Sequence, residues 1–372
     1  MQKKVLITGG AGFIGSHLAD ELLNKGYQVR ALDNLSEQVH GKNASRPEYL
    51  HPDVELQIGD VRDKTAVEKA LQGVDAVIHL AAMVGVGQSM YQIKDYTEVN
   101  NLGTAVLMEA LMDKPVEKLV TASSMSIYGE GLYLNDQGAK RMDCERKLSD
   151  LKKGQWEMYD EDGKELEPVP TPETKIPNLS SVYALSKYDQ ERLSLITGKA
   201  YNIPTTALRF FNVYGTRQAL SNPYTGVLAI FASRLLNNNP PMIFEDGKQK
   251  RDFIHVKDVA RAIRLAMEKP EADGEVFNVG SGNKYSILEI ADKLAEVMGR
   301  ENLKAEVTGK YRVGDIRHCF ADTEKTEKLL GFKPEVKFED GLYELAEWLK
   351  TQIATDNVSK ASNELSSRGL TV

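Results

Sequence analysis

From its first residues the chain alternates short, almost wholly apolar runs with longer segments whose apolar positions recur every three or four residues. The short runs read as strands: Val5–Thr8, Gln28–Asp33, Val54–Ile58, Ala76–Leu80, Lys118–Ser123 and Thr205–Phe210. Two of them, AVIHL and LVTAS, show no clean polar alternation, as strands covered on both faces of a parallel sheet require. Between the runs, His17–Asn24, Thr65–Leu71, Tyr96–Leu111 and Tyr183–Thr197 carry helical spacing. This order predicts βαβ units, hence an α/β protein with a doubly wound parallel sheet and a ligand crevice at the carboxyl ends of its strands.

The alternation loosens after Phe211, where Asn-Pro, Pro-Pro and Asp-Gly steps punctuate Ser221–Gly247, and a later run, Glu275–Val279, reads as a strand returning to the sheet. Residues 1–211, with a return near 252–280, therefore read as one domain, and residues 212–251 and 281–350 as a smaller α/β lobe. Residues 131–178 interrupt the first domain with a polar, charged and proline-containing stretch. Its RMDCERKLSDLKK part predicts one helix, and its EDGKELEPVPTPETK part predicts turn and extended chain, since proline disrupts helix. The sparse, polar sequence of residues 356–372 predicts a disordered tail.

Composition narrows the function. With 372 residues, 41% hydrophobic and 27% charged, the chain has the make-up of a folded globular protein. A net charge of −7 supplies no field for a phosphate backbone, which argues against nucleic acid as a partner. Two distant cysteines, Cys144 and Cys319, form no disulfide framework, and neither has the neighbours of a metal site, so no metal is expected. The start, MQKKVLITGG, has too short an apolar run for a signal peptide, and no later window is apolar enough to span a membrane. The expected setting is the cytoplasm.

The segment VLITGGAGFIGSHLADELL places Gly9, Gly12 and Gly15 between a strand and an amphipathic helix. Glycines there allow a tight turn, close backbone approach to a pyrophosphate and close packing of helix on strand. Asp33, at the end of the second strand, can accept hydrogen bonds from both hydroxyls of an adenosine ribose and repel a 2′-phosphate, which favours NAD over NADP.

The spacing G-x-x-G-x-x-G is followed by GDVRD (Gly59–Asp63), HLAA (His79–Ala82), Asn100, SSMSIYG (Ser123–Gly129), YALSK (Tyr183–Lys187), LRFFNVYG (Leu208–Gly215), RDFIHVKD (Arg251–Asp258) and FNVGSG (Phe277–Gly282). In this order the set resembles the extended short-chain dehydrogenase/reductase family, specifically its NAD-dependent nucleotide-sugar epimerases and dehydratases, over about residues 3–350. The resemblance implies a Rossmann-type NAD-binding domain and a lobe for a nucleotide-diphosphate sugar. It places Phe13, Ile14, Asn34 and Leu80 among the cofactor contacts, Asp60 and Val61 beside the adenine, Ala81 and Ala82 along the pyrophosphate and ribose, and Asn100 in support of that site.

Tyr183 and Lys187, four residues apart, share one helix face. A phenol of pKa about 10 is a poor base near neutrality, but an adjacent ammonium and an oxidised nicotinamide favour its phenolate. The resemblance gives Tyr183 and Lys187 the proton-transfer role and Ser124 a hydrogen bond to the reacting sugar hydroxyl. Relatives that dehydrate carry Thr-Asp-Glu where this chain reads Ser124-Met125-Ser126, so elimination lacks its acid and base here. What remains is reversible oxidation at C4, rotation of the 4-keto sugar and hydride return, a 4-epimerisation.

For the sugar nucleotide, the resemblance implies Asn212, Arg251 and Arg312, with Arg217, Gln218 and Asp315 as additions and Val86 and Ser126 on the sugar side. Gln88 or Ser89 is expected to reach the hexose, and the 131–178 insertion to lie above the sugar pocket as a lid or specificity segment. The insertion, VGVGQSMY and SMSIYGEGLY look similar to the branch that epimerises dTDP-6-deoxyhexoses, including dTDP-L-rhamnose. UDP-hexose or UDP-uronate 4-epimerisation, a nucleotide-sugar dehydrogenase or 4-ketoreductase, and a non-catalytic NAD sensor are the alternatives. The family further implies a homodimer packed through the helices around Tyr96–Leu111 and Tyr183–Thr197.

Overall fold

A computed structural model describes residues 2–371. Its centre is a seven-stranded sheet of β1 (Lys4–Thr8), β2 (Gln28–Asp33), β3 (Glu55–Ile58), β4 (Ala76–His79), β5 (Lys118–Ser124), β6 (Thr205–Phe210) and β7 (Val276–Val279). The strands are parallel and lie in the order β7-β6-β5-β4-β1-β2-β3. The winding reverses between β1 and β4, where Thr8 stands level with both Leu32 and His79. A crevice opens at such a reversal because the following connections leave to opposite faces.

Alternation along β1 shows why both faces must be covered. Val5 and Ile7 pack with Leu18, Ala19 and Leu22 of α1 (Phe13–Asn24), while Leu6 joins Leu107, Met108 and Leu111 of α2 (Gly103–Asp113) on the other side. Behind β5 and β6 runs α3 (Val182–Ala200), whose first turn is capped by the Ser181 hydroxyl accepting from the Ala184 amide at 3.1 Å. Against α1 packs α4 (Val256–Glu268), which adds Val259, Ile263 and Ala266 to the same core.

The stretch Tyr96–Leu111 lies within one unbroken helical run, Ile93–Asp113, which is π-wound over Thr97–Leu102, and there Asn100 is fully buried. A second core joins Leu228, Phe231 and Leu235 to Ile290, Leu294, Phe338, Leu342 and Leu345 beyond the carboxyl end of the sheet. Two cores over one crevice leave a cleft between lobes.

Two expectations need correction. Arg141–Lys153 does not form one helix; a short strand at Lys140–Arg141 and a single turn at Leu148–Leu151 appear instead. Leu132–Leu134, Lys140–Arg141 and Glu167–Val169 make a small antiparallel sheet, and Arg146 is drawn inward to Glu130 and Glu245 at 3.0 and 2.6 Å. Nor is the tail disordered among the described residues. A helix, α5 (Val358–Ser367), forms there, burying Ala361 and Leu365, and Asp356 anchors its start by accepting from Asn239 at 2.7 Å. Val358, Ala361 and Leu365 do recur at helical spacing, but in a polar segment the signal is too sparse to read before the surface that receives them is known.

Gly15 is the tightest point of the turn that joins sheet to crevice, since a Cβ there would lie 2.3 Å from the Gly9 carbonyl oxygen. Gly15→Ala should therefore destabilise the protein by about 1–3 kcal/mol in urea unfolding. A variant with wild-type stability would contradict this packing.

Candidate active site

The crevice opens into a cavity of about 940 Å³ shared by both lobes. At one end Gly9, Gly12, Phe13, Ile14 and Gly15 form its wall at the start of α1. Gly9 has φ +70°, and a Cβ there would lie 3.0 Å from the Ala81 amide nitrogen, so only glycine brings these two loops together without strain. Asp33 holds the turn in place: one carboxylate oxygen accepts from the Ala11 amide at 3.0 Å and the other from the Leu35 amide at 2.9 Å. His40, which the sequence did not single out, lies with Nε2 3.7 Å from the Asp33 carboxylate and on the same wall.

Asn34, Val61, Leu80, Ala81 and Ala82 also line this end. Asp60 does not line the cavity; it is paired with Arg62 at 2.8 Å and accepts from Asn34 at 3.0 Å, so it shapes the loop from behind. Asn100 is likewise behind the wall, where its side chain accepts from the Met83 amide at 2.7 Å and donates to the Ser186 hydroxyl at 2.9 Å. The glycine turn, the helix N-terminus and the Asp33 carboxylate together fit a dinucleotide with an unphosphorylated adenosine ribose.

Midway along the cavity, Ser124, Tyr183 and Lys187 share the wall. Ser124 ends β5, where its hydroxyl accepts from the Ser126 amide at 3.1 Å and favours the ionised form of Tyr183. Burial nonetheless pushes the Tyr183 phenol above its usual range, against the opposing effect of the Ser124 hydroxyl. Burial lowers Lys187 to about 7, with Glu191 pulling the other way. Glu191 is itself held by Arg209 at 2.7 Å and by the Ser123 hydroxyl at 2.7 Å. Sequence reading gave this pair no role, though Arg209 lies within LRFFNVYG and Glu191 four residues after Lys187.

Toward the second lobe, Val86, Ser126, Asn212, Gln218, Arg251, Arg312 and Asp315 reach the cavity. Asn212 Oδ1 and Gln218 Oε1 are buried without a partner among the described residues, leaving two acceptors for a ligand's hydroxyl or amide groups. Arg312 pairs with Asp315 at 2.6 Å, and Arg251 braces the segment between them and the core by donating to the Arg317 carbonyl at 2.9 Å. His17, His79 and His255 are buried and their pKa values fall below the ordinary range because burial opposes their charge, consistent with structural positions.

Three expected contacts are not there. Arg217 turns away from the cavity, pairing with Asp20 at 2.8 Å and lying over the Tyr49 ring. Ser89 caps α3 by accepting from the Tyr183 amide at 3.0 Å, and Gln88 is engaged with Gln38 at 3.0 Å, so neither lines the sugar side. The 131–178 insertion lines none of the main cavity. It borders a separate space of about 250 Å³ on the far side of Arg312–Ile316, and Arg146 donates to the Asp315 carbonyl at 2.6 Å, so it buttresses that segment from behind.

The wall assigned to the insertion is supplied by α5, through Val358, Ala361, Ser362 and Leu365. Leu365 lies against Gly87, where a Cβ would sit 3.3 Å from both Leu365 and Arg312, and Arg368 stacks 4.6 Å from the centre of the Tyr91 ring. Among the described residues, no His, Cys, Asp and Glu cluster is placed to hold a metal ion, and no helix is long and apolar enough to cross a membrane.

A Rossmann sheet with a buried Ser-Tyr-Lys set on a dinucleotide crevice defines an NAD-dependent enzyme of the epimerase type. The sequence profile of the NAD dependent epimerase/dehydratase family matches residues 5–147 and 156–280, and the chain belongs to that family. It is 34% identical to a dTDP-L-rhamnose 4-epimerase of Burkholderia thailandensis over 359 residues, 95% of this chain and 97% of that protein. Its structure is similar to Thermus thermophilus UDP-glucose 4-epimerase solved with NAD, with TM-score 0.74 and 31% identity over 94% of this chain and 100% of that one. The Bacillus cereus UDP-glucuronic acid 4-epimerase, solved with UDP-glucuronic acid and NAD, gives TM-score 0.76 and 28% identity over 93% and 99% of the two chains.

Because α5 supplies cavity wall on the second-lobe side, removing residues 356–372 should raise KM for the sugar nucleotide by about tenfold or more while bound NAD is retained. Unchanged KM in the shortened protein would show that α5 is only an ornament of the surface.

Proposed function

We propose that the protein is a nucleotide-sugar 4-epimerase that retains NAD and acts on a dTDP-6-deoxyhexose of the dTDP-L-rhamnose type. The observation that carries the reading is the placement of Ser124, Tyr183 and Lys187 on one cavity with the glycine turn at one end and Arg251 and Arg312 at the other. Gly9, Gly12, Gly15 and Asp33 hold the dinucleotide, and NAD bound there supplies a reversible hydride acceptor. Ser124 holds the sugar's C4 oxygen. Tyr183, made acidic by the Lys187 ammonium, takes the hydroxyl proton as C4 is oxidised and gives it back once the other face of the 4-keto sugar is presented. Arg251 and Arg312 suit the diphosphate, since a guanidinium fork matches phosphate oxygens.

Met125 stands where the Thr-Asp-Glu of a dehydrating relative has its aspartate, and Ser126 where it has its glutamate. Met83, Val84 and Val86 add further apolar surface to the cavity. That environment favours a C6 methyl over a C6 carboxylate, which would be desolvated against apolar side chains. The relative at 34% identity supports the same choice of sugar.

We also propose a homodimer. Leu185 and Ile196 on α3 are 48% and 59% exposed, and Leu193 between them and Leu102 beside α2 are exposed too, giving an unpartnered apolar face. Leu185→Glu combined with Ile196→Glu should turn a dimer into a monomer in light scattering. A wild-type protein that is already monomeric would contradict it.

For the reaction, purified protein is incubated without added cofactor with dTDP-L-rhamnose, UDP-glucose, UDP-N-acetylglucosamine or UDP-glucuronate, followed by NMR and by absorbance of NADH. Conversion of dTDP-L-rhamnose to its C4 epimer without NADH build-up is expected. Preference for a UDP sugar would overturn the sugar assignment, and stoichiometric NADH would overturn epimerisation. Tyr183→Phe should lower kcat by about 10²–10⁴-fold while leaving NAD bound; a sensor would keep its function.

A further inference from the structure

The Lys187 ammonium sits on the cavity wall, but its hydrogen bond runs away from the cavity, to Gln190 Oε1 at 2.6 Å. Gln190 is fully buried. Its amide nitrogen lies 2.9 Å from Thr104 Oγ1 and 3.2 Å from His79 Nε2. Thr104 has a single hydroxyl proton, which it donates to the Asn100 carbonyl at 2.6 Å, so toward Gln190 its oxygen can only accept. An ammonium can only donate. Both ends of the amide thus demand one orientation, with oxygen toward the lysine and nitrogen toward the threonine.

The other charged and titratable groups around Lys187 do not replace this acceptor. Glu191, the next residue along α3, is engaged by Arg209 of β6 and by Ser123 of β5. His79 of β4 is buried and uncharged near neutrality, and Tyr183 lies one turn earlier on the same helix. Gln190 is therefore the group that meets the buried cation on the side facing the core.

We propose that Gln190 is a positioning residue for the reaction: its carbonyl, aimed by Thr104, anchors the Lys187 ammonium and keeps it charged beside Tyr183. This rests on the reading of Lys187 as the cation that acidifies Tyr183. The bond favours the protonated lysine, so losing it leaves Lys187 less often charged and weakens its support for a Tyr183 phenolate. The penalty falls on the chemical step more than on sugar-nucleotide binding.

Three variants of the holoenzyme test this. Gln190→Leu removes the acceptor at similar volume, Gln190→Glu keeps an acceptor, and Thr104→Val removes the hydroxyl that aims the amide. The first readout is kcat against KM for the epimerised sugar nucleotide, and the second is the Lys187 titration followed by NMR with isotope-labelled lysine. Gln190→Leu is expected to lower kcat by about 10–100-fold with KM within about twofold, and to lower the Lys187 pKa. Gln190→Glu should hold the Lys187 pKa at or above its wild-type position. Thr104→Val should lower kcat when Gln190 is present and add nothing in the Gln190→Leu background.

Wild-type Lys187 titration in Gln190→Leu, or a kcat loss with that titration unmoved, would overturn the proposal. If Gln190→Leu does not fold, Thr104→Val decides alone, and unchanged kcat and titration there would overturn it. Wild-type protein inactive on every nucleotide sugar would instead defeat the epimerase reading, while the titration would still decide what Gln190 does to Lys187.

Discussion

The proposed chemistry requires a lysine to remain charged although it is buried, and the rest of the site is arranged around that requirement. Lys187 is buried, and burial, opposed by the Glu191 carboxylate, brings it down to about 7. The helix that carries it is accordingly tied from several directions. Ser89 and Ser181 fix its first turn, Asn100 holds Ser186, the Thr121 hydroxyl donates to Ser194, and Arg209 meets Glu191. Such ties place Tyr183 and its cation within one rigid element against β5, whose last residue is Ser124. Preorganisation of this kind costs nothing further at the moment of proton transfer.

Much of this was legible in the amino-acid order because the relevant signals are local. The glycine turn, Asp33 at a strand end and the Tyr183/Lys187 spacing each lie within a few residues, and the strands AVIHL and LVTAS declare burial by having no polar face. What was not legible depends on partners far apart in the chain. Arg217 could have pointed into the cavity, but Asp20 and the Tyr49 ring lie on its other side. The length of the 131–178 insertion and its place between Ser124 and Tyr183 suggested a segment over the sugar, whereas Arg317, fully buried, needs Glu157 from that segment as well as Asp246 at 2.6 Å and Glu245 at 3.0 Å. Buried arginines left without such partners would be severely destabilising, so the insertion is held to the back of the second lobe.

The tail makes the same point from the opposite side. Three apolar residues in a polar segment carry too little surface to fold alone, but the groove between Gly87, Tyr91 and Arg312 gives them something to cover. The cavity thereby gains a wall from the end of the chain, while its floor comes from the beginning and its chemistry from the middle. Met83, Val84, Val86 and Met125 give that cavity apolar surface, and Asn212 and Gln218 bring buried acceptors to it.

The central claim, that a proton is handled by Tyr183 while hydride leaves and returns without exchange, is tested most directly by isotope. With deuterium at C4 of the nucleotide sugar that turns over, the label should be recovered at C4 of the epimer, with no wash-in of solvent hydrogen and no accumulated NADH. Loss of the deuterium to water would contradict the account, because it would require C4 to be epimerised by proton abstraction at carbon.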